Sequence, residues 1–354
     1  DLVRSRGLGD VYKRQLMKTA TFDLEEKRLK EEIRKKKAKR VLIQLPEGLK
    51  PYGSYLASIV EKTGALAIVS ADPCYGACDL AVSEAESLNA DLIVHYGHSK
   101  MAEGERKDKT LYIEAKAKSN IKQAVKKALP LLKDWKRIGL VTSVQHIHTL
   151  EEVRQELLKT GKTVAIGDTG HVKYAGQVTG CDLSNAKAVA KEVDAFLFVG
   201  GGRFHPIGVA LATAKPTIIA DPYEKTASTV KDEVNKILKQ RWAQICLARA
   251  AEKFGVIVGL KSGQRKLEKA VEIKQKLEAV GKQAILLALR EITPEAFLQF
   301  PDMEAIVNTA CPRVSLDDAL RFSKPVITFS EALVALGEMS WEELCRRGWF
   351  ENLT

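Results

Sequence analysis

Three cysteines stand in three separate turns: Tyr75-Gly76-Ala77-Cys78, Thr179-Gly180-Cys181-Asp182 and Ala310-Cys311-Pro312-Arg313. More than a hundred residues separate each from the next, so no short segment can hold a metal with them. If they act together, the fold must bring three distant loops to one point, with one thiolate per structural unit. Thiolates suit soft metals and iron–sulfur clusters. A cubane 4Fe-4S cluster with three cysteine ligands keeps one iron without a protein thiolate, and a small molecule can bind there directly.

Each cysteine also has a plainer reading, because a lone unoxidised cysteine is most often a small core hydrophobe. Cys246, within the helical run Arg241–Ala248, and Cys345, within Trp341–Arg346, fit that reading. Cys74 and Cys78 form a C-x3-C pair, but the C-x3-C-x2-C motif of radical enzymes is incomplete because Ala81 holds the third position. A zinc site built from Cys74, Cys78 and His95 or His98 is the alternative, although the paired C-x2-C knuckles of zinc modules are missing.

Other polar residues follow strand ends. Gln145, His146 and His148 come directly after an apolar run, which points them at a pocket as substrate- or cofactor-binding residues, and His205 is placed in the same way. Gly200, Gly201 and Gly202 would let backbone N–H groups approach a carboxylate, but they lack the Gly-x-Gly-x-x-Gly pattern of a dinucleotide site. His95 and His98 read as structural. Asp317 and Asp318 suit capping the next helix as well as handling protons or ligands.

The elements that must position these residues repeat three times. A basic or amphipathic helical segment precedes an apolar β-branched run at Arg40–Leu45, again at Arg137–Thr142 and again at Phe254–Gly259. Each run ends in a turn followed by a helical pattern. Further strands are expected at Ala67–Ser70 and Leu92–His95, at Val164–Ile166 and Ala195–Val199, and at Ala284–Leu287 and Ala305–Asn308. Short strands apolar on both faces, alternating with helices, indicate parallel sheets covered by helices. The expected fold is therefore α/β: three related domains, residues 17–117, 118–223 and 224–354, each a parallel sheet flanked by helices, arranged around a central cluster site. In such sheets ligands bind at the carboxyl ends of the strands, and the three cysteines fall at such ends. Residues 1–16 contain SRGLGDVYKRQ (Ser5–Gln15), which resembles translated sequencing-adapter read-through; they are expected to be a non-native leader ahead of Met17.

Composition narrows the class. A chain of 354 residues with 45% hydrophobic content can bury substantial cores. Six cysteines are too few for a disulfide scaffold at this length, and no apolar run reaches the ~18 residues of a membrane span. A reducing cytoplasm is the expected compartment. The net charge of +11 is concentrated partly in Lys27–Arg40, KRLKEEIRKKKAKR. With Glu31 and Glu32 inside it, that run reads as a solvated helix face rather than a nucleic-acid site.

Several segments in this order carry a resemblance: LPEGLK (Leu45–Lys50), YGACD (Tyr75–Asp79), HYGHS (His95–Ser99), QHIH (Gln145–His148), GQVTGC (Gly176–Cys181), FHPIG (Phe204–Gly208), DPY (Asp221–Tyr223), RWAQI (Arg241–Ile245), KFGVIV (Lys253–Val258) and ACPRVSLDD (Ala310–Asp318). From about Lys39 to about Glu331 the chain resembles the archaeal 2-(3-amino-3-carboxypropyl)histidine synthases, which begin diphthamide biosynthesis. The resemblance implies three α/β domains that each give one cysteine, here Cys78, Cys181 and Cys311, to a 4Fe-4S cluster. It implies S-adenosylmethionine as substrate, a 3-amino-3-carboxypropyl radical, and addition to C2 of a histidine of translation elongation factor 2. It further implies a homodimer and an external electron donor. A non-catalytic iron–sulfur or zinc-binding accessory protein of the same pathway is the competing reading.

Overall fold

The computed structural model of the chain describes residues 21–100, 109–168 and 170–350. The expected leader, residues 1–16, lies outside them. The described residues divide into two compact units, one of residues 21–100, 109–120 and 144–149, the other of 121–143, 150–168 and 170–350.

In the first unit, helix α1 (Glu26–Lys35) precedes strand β1 (Arg40–Gln44), then α2 (Gly53–Glu61), β2 (Leu66–Val69), α3 (Val82–Ser87), β3 (Leu92–Tyr96) and β4 (Thr110–Ile113). The four strands form a parallel sheet in the order β2-β1-β3-β4. Alternation along the pleat sends residues of one strand to two cores. Val41, Ile43, Leu92, Val94 and Tyr96 pack with Leu29, Ile33 and Leu56 of the helices, whereas Leu42 and Ile93 pack with Leu80 and Ala85. Burial on both faces explains why the sequence shows continuous apolar runs instead of alternation. Of the basic run, Leu29 and Ile33 are the buried residues of α1, and its lysines line the outer side.

The second unit holds two more sheets. Helix α4 (Lys122–Ala128) leads into β5 (Arg137–Thr142), α5 (Leu150–Lys159), β6 (Thr163–Ala165), α6 (Ser184–Val189), β7 (Ala195–Val199), α7 (Phe204–Thr213), β8 (Thr217–Asp221) and β9 (Thr226–Thr229). The long helix α8 (Lys231–Ala250) opens the last part, followed by β10 (Lys253–Gly259), α9 (Leu267–Ala279), β11 (Gln283–Leu289), β12 (Ala305–Asn308), α10 (Pro312–Asp317), β13 (Val326–Thr328), α11 (Phe329–Ala335) and α12 (Trp341–Arg347). The sheet orders are β6-β5-β7-β8-β9, with only β9 antiparallel, and β11-β10-β12-β13. Gly139 on β5 makes room for its neighbour: a Cβ there would lie 2.3 Å from the ring of Phe196 on β7.

All three sheets thus repeat one order: second strand, first, third, fourth. They also share a clamp. Asp91, one residue before β3, accepts the N–H groups of Lys39 and Arg40 on one carboxylate oxygen, at 2.8 and 2.9 Å. Asp194, one residue before β7, does the same for Lys136 and Arg137, at 3.2 and 2.9 Å. Glu304, one residue before β12, accepts from the N–H of Glu252 at 2.7 Å. In each sheet an acid therefore closes the amino end of the central strand, where the N–H groups would otherwise lack partners.

The expected strands at 137–142, 195–199 and 305–308 form with those bounds, and the other six within two residues. Strands β4, β8, β9 and β13 were not expected. They are three to five residues long, too short for periodicity to separate them from loops. Cys246 departs from its expected place in the core, for it is exposed. The buried stripe of α8 is Arg241, Ile245 and Ala248, and one step along a helix turns a side chain by about 100°, carrying Cys246 off that stripe. Cys345 is half-buried against the core.

Candidate metal centre

Cys311 stands at the carboxyl end of β12, immediately before α10. The Asn308 side chain holds this turn, donating to the Cys311 carbonyl at 2.7 Å and to Ser315 Oγ at 3.1 Å while accepting from the Ala310 N–H at 3.0 Å. Burial pushes the Cys311 thiol up, opposed by the backbone N–H groups of Arg313 and Val314 and by the Arg313 guanidinium, all of which favour the thiolate. Behind α10 lies a buried hub. Arg241 Nη1 donates to the Ser315 carbonyl at 2.6 Å, and its Nε and Nη2 bind both oxygens of Glu331 at 2.7 and 2.6 Å. Glu331 also accepts from Trp349 Nε1 at 2.6 Å and caps α11 through Thr328.

Cys181 is held by different means in the same unit. The buried Asp182 carboxylate accepts the N–H groups of His171 and Ser184 and the Ser184 hydroxyl, and the Asp182 N–H donates to Thr179 Oγ1 at 2.9 Å. Gly180 lies under Phe204, where a Cβ would come within 2.7 Å of the ring. The guanidinium of Arg313 in turn lies 3.7 Å from the centre of the Phe204 ring and donates through Nη2 to its carbonyl at 3.1 Å.

Arg313 therefore joins the two thiol loops. Its charge responds to both Cys311 and Cys181. Burial lowers its pKa, against the Asp317 carboxylate, which pairs with Nε at 2.6 Å, and against both thiols. Only 6% of the residue is exposed, and its Nη1 has no hydrogen-bond partner among the described residues. A buried guanidinium with an unused donor beside two thiols suits an anionic group held by those thiols. Arg313 sits two residues after Cys311, but nothing in the local sequence separates it from an ordinary helix-start arginine.

Cys78, half-buried, lies in the other unit on the loop after β2. Gln44, the last residue of β1, organises that loop: its Nε2 donates to the Asp79 carbonyl at 2.6 Å, and its Oε1 accepts from the Ala81 N–H at 3.1 Å. The same Oε1 lies 2.7 Å from His95 Nδ1, and His95 Nε2 lies 2.9 Å from His98 Nδ1. Burial, and then the neighbouring His98, hold His95 well below the usual histidine range. Burial also takes His98 down to about 4, against a hydrogen bond with the Tyr96 backbone. Both shifts favour the neutral imidazole.

The four expected cofactor-binding residues are spread over both units. Gln145 Nε2 donates to the Gly97 carbonyl at 2.5 Å, and the Gln145 carbonyl accepts from the Ala117 N–H at 2.8 Å. His146 is 1% exposed, with Nδ1 3.5 Å from Ser119 Oγ. His148 is on the surface, its pKa lowered by desolvation and by Lys116. His205 stacks on Phe198 at 5.7 Å between ring centres and meets the edge of Phe204 at 5.1 Å. The glycine turn does receive a carboxylate: the Gly202 N–H donates to Asp221 Oδ2 at 3.2 Å. Asp317 pairs with Arg313 and Asp318 with Arg321.

The sequence profile of the diphthamide synthesis protein family matches residues 45–345. The chain is 38% identical to the 2-(3-amino-3-carboxypropyl)histidine synthase of Pyrococcus horikoshii over 86% of this chain and 88% of that protein. It is 31% identical to human 2-(3-amino-3-carboxypropyl)histidine synthase subunit 1, over 88% of this chain and 71% of the relative. A crystal structure of Dph2 from Pyrococcus horikoshii with a 4Fe-4S cluster superposes with a TM-score of 0.82 and 36% identity, covering 90% of this chain and 92% of that one.

Proposed function

Because the chain belongs to the diphthamide synthesis protein family, we propose that it transfers the 3-amino-3-carboxypropyl group of S-adenosylmethionine to C2 of a histidine of translation elongation factor 2. The named relatives are synthases of this product, and the matched structure is described with a 4Fe-4S cluster. The residues present fit such a cluster: free cysteines on the loops that follow strands β2, β6 and β12 and, beside two of them, a buried cation with an unused donor. Cys78, Cys181 and Cys311 would be its thiolate ligands, one from each of three α/β domains spanning residues 17–117, 118–223 and 224–354. When bound and reduced, the cluster supplies the electron that breaks the bond between sulfur and the methionine γ-carbon.

The chain's own residues perform the rest. Asn308, Asp182 and Gln44 hold the three cysteine turns by hydrogen bonds within the chain, which lowers the ordering cost of binding. Arg313 offsets the negative charge that three thiolates bring to the site. Gln145, His146, His148 and His205 are proposed to contact the cofactor or the substrate. The physiological setting proposed is a homodimer in the cytoplasm, served by a separate electron donor, with no membrane or nucleic-acid partner.

The observation that carries this reading is the contact of Arg313, two residues after Cys311, with Phe204, whose ring lies over Gly180 beside Cys181. The test is anaerobic purification and reconstitution, followed by iron and sulfide analysis. Cys78→Ala, Cys181→Ala and Cys311→Ala should each lose or cripple the cluster and the transferase activity, while Cys246→Ala and Cys345→Ala keep both. Full iron content and activity in any of the first three would sink the assignment. An accessory protein would bind a cluster or zinc yet leave S-adenosylmethionine intact.

A further inference from the structure

One cluster of metal-ligating side chains stands apart from the three proposed cluster cysteines. Cys74 Sγ and ring nitrogens of His95 and His98 all lie within 4.8 Å of one another, and Cys78 does not join the group. Cys74 is 4% exposed and His95 is fully buried, while His98 is half-buried and gives access from outside.

The surroundings decide which atoms point inward. Gln44 is held with its oxygen toward the Ala81 N–H and its nitrogen toward the Asp79 carbonyl. That oxygen can only accept, so His95 must carry its proton on Nδ1. The Nε2 lone pair of His95 is thereby directed toward His98 and Cys74. A buried acceptor that sets the tautomer of a histidine is the usual support behind a metal-bound imidazole, and here the Gln44 oxygen is that acceptor. One thiolate and two neutral imidazoles suit a borderline divalent cation and do not suit Mg2+ or Ca2+, which prefer oxygen. Zinc–nitrogen bonds of about 2.0–2.1 Å and a zinc–sulfur bond of about 2.3 Å put tetrahedral donors about 3.3–3.6 Å apart. The two histidine nitrogens, at 2.9 Å, need to open by only a few tenths of an ångström.

We propose that Cys74, His95 and His98 form a second, mononuclear metal site of the Zn2+ class, which ties the loop carrying Cys78 to the end of β3. The fourth position is left for water or an incoming ligand. Binding releases the Cys74 thiol proton to solvent, and the proton between the two histidines moves to His98 Nε2. The site uses none of the three cysteines proposed to hold the cluster, so it stands or falls separately from that reading.

The test is metal analysis of the anaerobically reconstituted full chain after exposure to equimolar Zn2+. One zinc per chain is expected in addition to cluster iron. Cys74→Ser and His98→Asn should each lower zinc retention at least tenfold and leave iron content unchanged. With Co2+ in place of zinc, a thiolate-to-cobalt charge-transfer band should appear, persist in Cys78→Ala and vanish in Cys74→Ser. Absence of zinc and of the cobalt band in the unaltered protein overturns the proposal, whatever the variants do. Zinc retained by both variants, or a cobalt band that follows Cys78, overturns it too.

Discussion

Arg313 shows how one residue can serve two distant loops. Its guanidinium faces the Phe204 ring and responds to both thiols, while Asp317 neutralises only one edge of it. Reduction adds negative charge to whatever the thiols hold, so a fixed cation beside them favours the reduced state. Arg313→Met keeps the aliphatic packing on Phe204 but removes the charge. A unit charge several ångströms away is worth on the order of 1–3 kcal/mol at an effective dielectric near ~20. For a one-electron couple this corresponds to a potential about 40–130 mV more negative. Redox titration followed by electron paramagnetic resonance should show that shift with iron content largely retained. An unaltered potential would remove the proposed electrostatic role.

At the scale of elements, two devices hold the sheets and can be separated by experiment. The Arg241–Glu331 pair is buried on both sides and fully hydrogen-bonded. Replacing one partner leaves the other charge buried and unmatched, which costs about 3–5 kcal/mol. Glu331→Gln and Arg241→Met should each lower the urea midpoint strongly, and the Arg241–Ser315 contact predicts looser cluster binding in Arg241→Met. The carboxylate clamps lie at the surface, Asp91 exposed and Asp194 half-buried, and act differently. Asp194 is held down at about 2, first by the Arg137 side chain and then by backbone N–H groups, and Asp91 is lowered mainly by the N–H groups of Arg40 and Lys39. A carboxyl depressed in the folded state takes its proton first in the unfolded state. Its stabilisation is therefore present above the unfolded value of ~3.9 and is lost as pH falls toward about 2. The stability gap between the natural chain and Asp194→Asn, read by urea unfolding, should be open at pH 6 and close across that acid window. A gap that persists at pH 2 would mean the clamp works by shape instead of charge.

For the whole molecule the decisive quantity is which carbon–sulfur bond breaks. With dithionite and S-adenosylmethionine but no elongation factor, the reduced protein should release 5′-methylthioadenosine with products of the aminocarboxypropyl fragment. Little 5′-deoxyadenosine should form. An iron without a protein thiolate would hold the sulfonium, and the residues around it would select the bond that aligns. Ala81 breaks the C-x3-C-x2-C motif that goes with adenosyl-side cleavage. Predominant 5′-deoxyadenosine would contradict this mechanism, and equal methylthioadenosine from oxidised protein would indicate a polar transfer.

The α/β class and nine of the strands can be read from the chain alone, because strands buried on both faces write continuous apolar runs that survive without tertiary context. The chain also marked the three cysteine turns, since cysteine chemistry is local and the motifs around Cys78, Cys181 and Cys311 are specific. Tertiary structure decided the rest. Strands β4, β8, β9 and β13 owe their existence to pairing with neighbours, which short segments do not announce. The exposure of Cys246 depends on the direction of a narrow stripe on α8. Three acids, Asp91, Asp194 and Glu304, look ordinary in the chain, and only sheet pairing reveals them as one repeated clamp. The joining of Cys181 to Cys311 through Arg313, and the meeting of Cys74 with His95 and His98, likewise arise from chain folding. Side chains far apart in sequence acquire a shared chemistry only when strand order places their loops together.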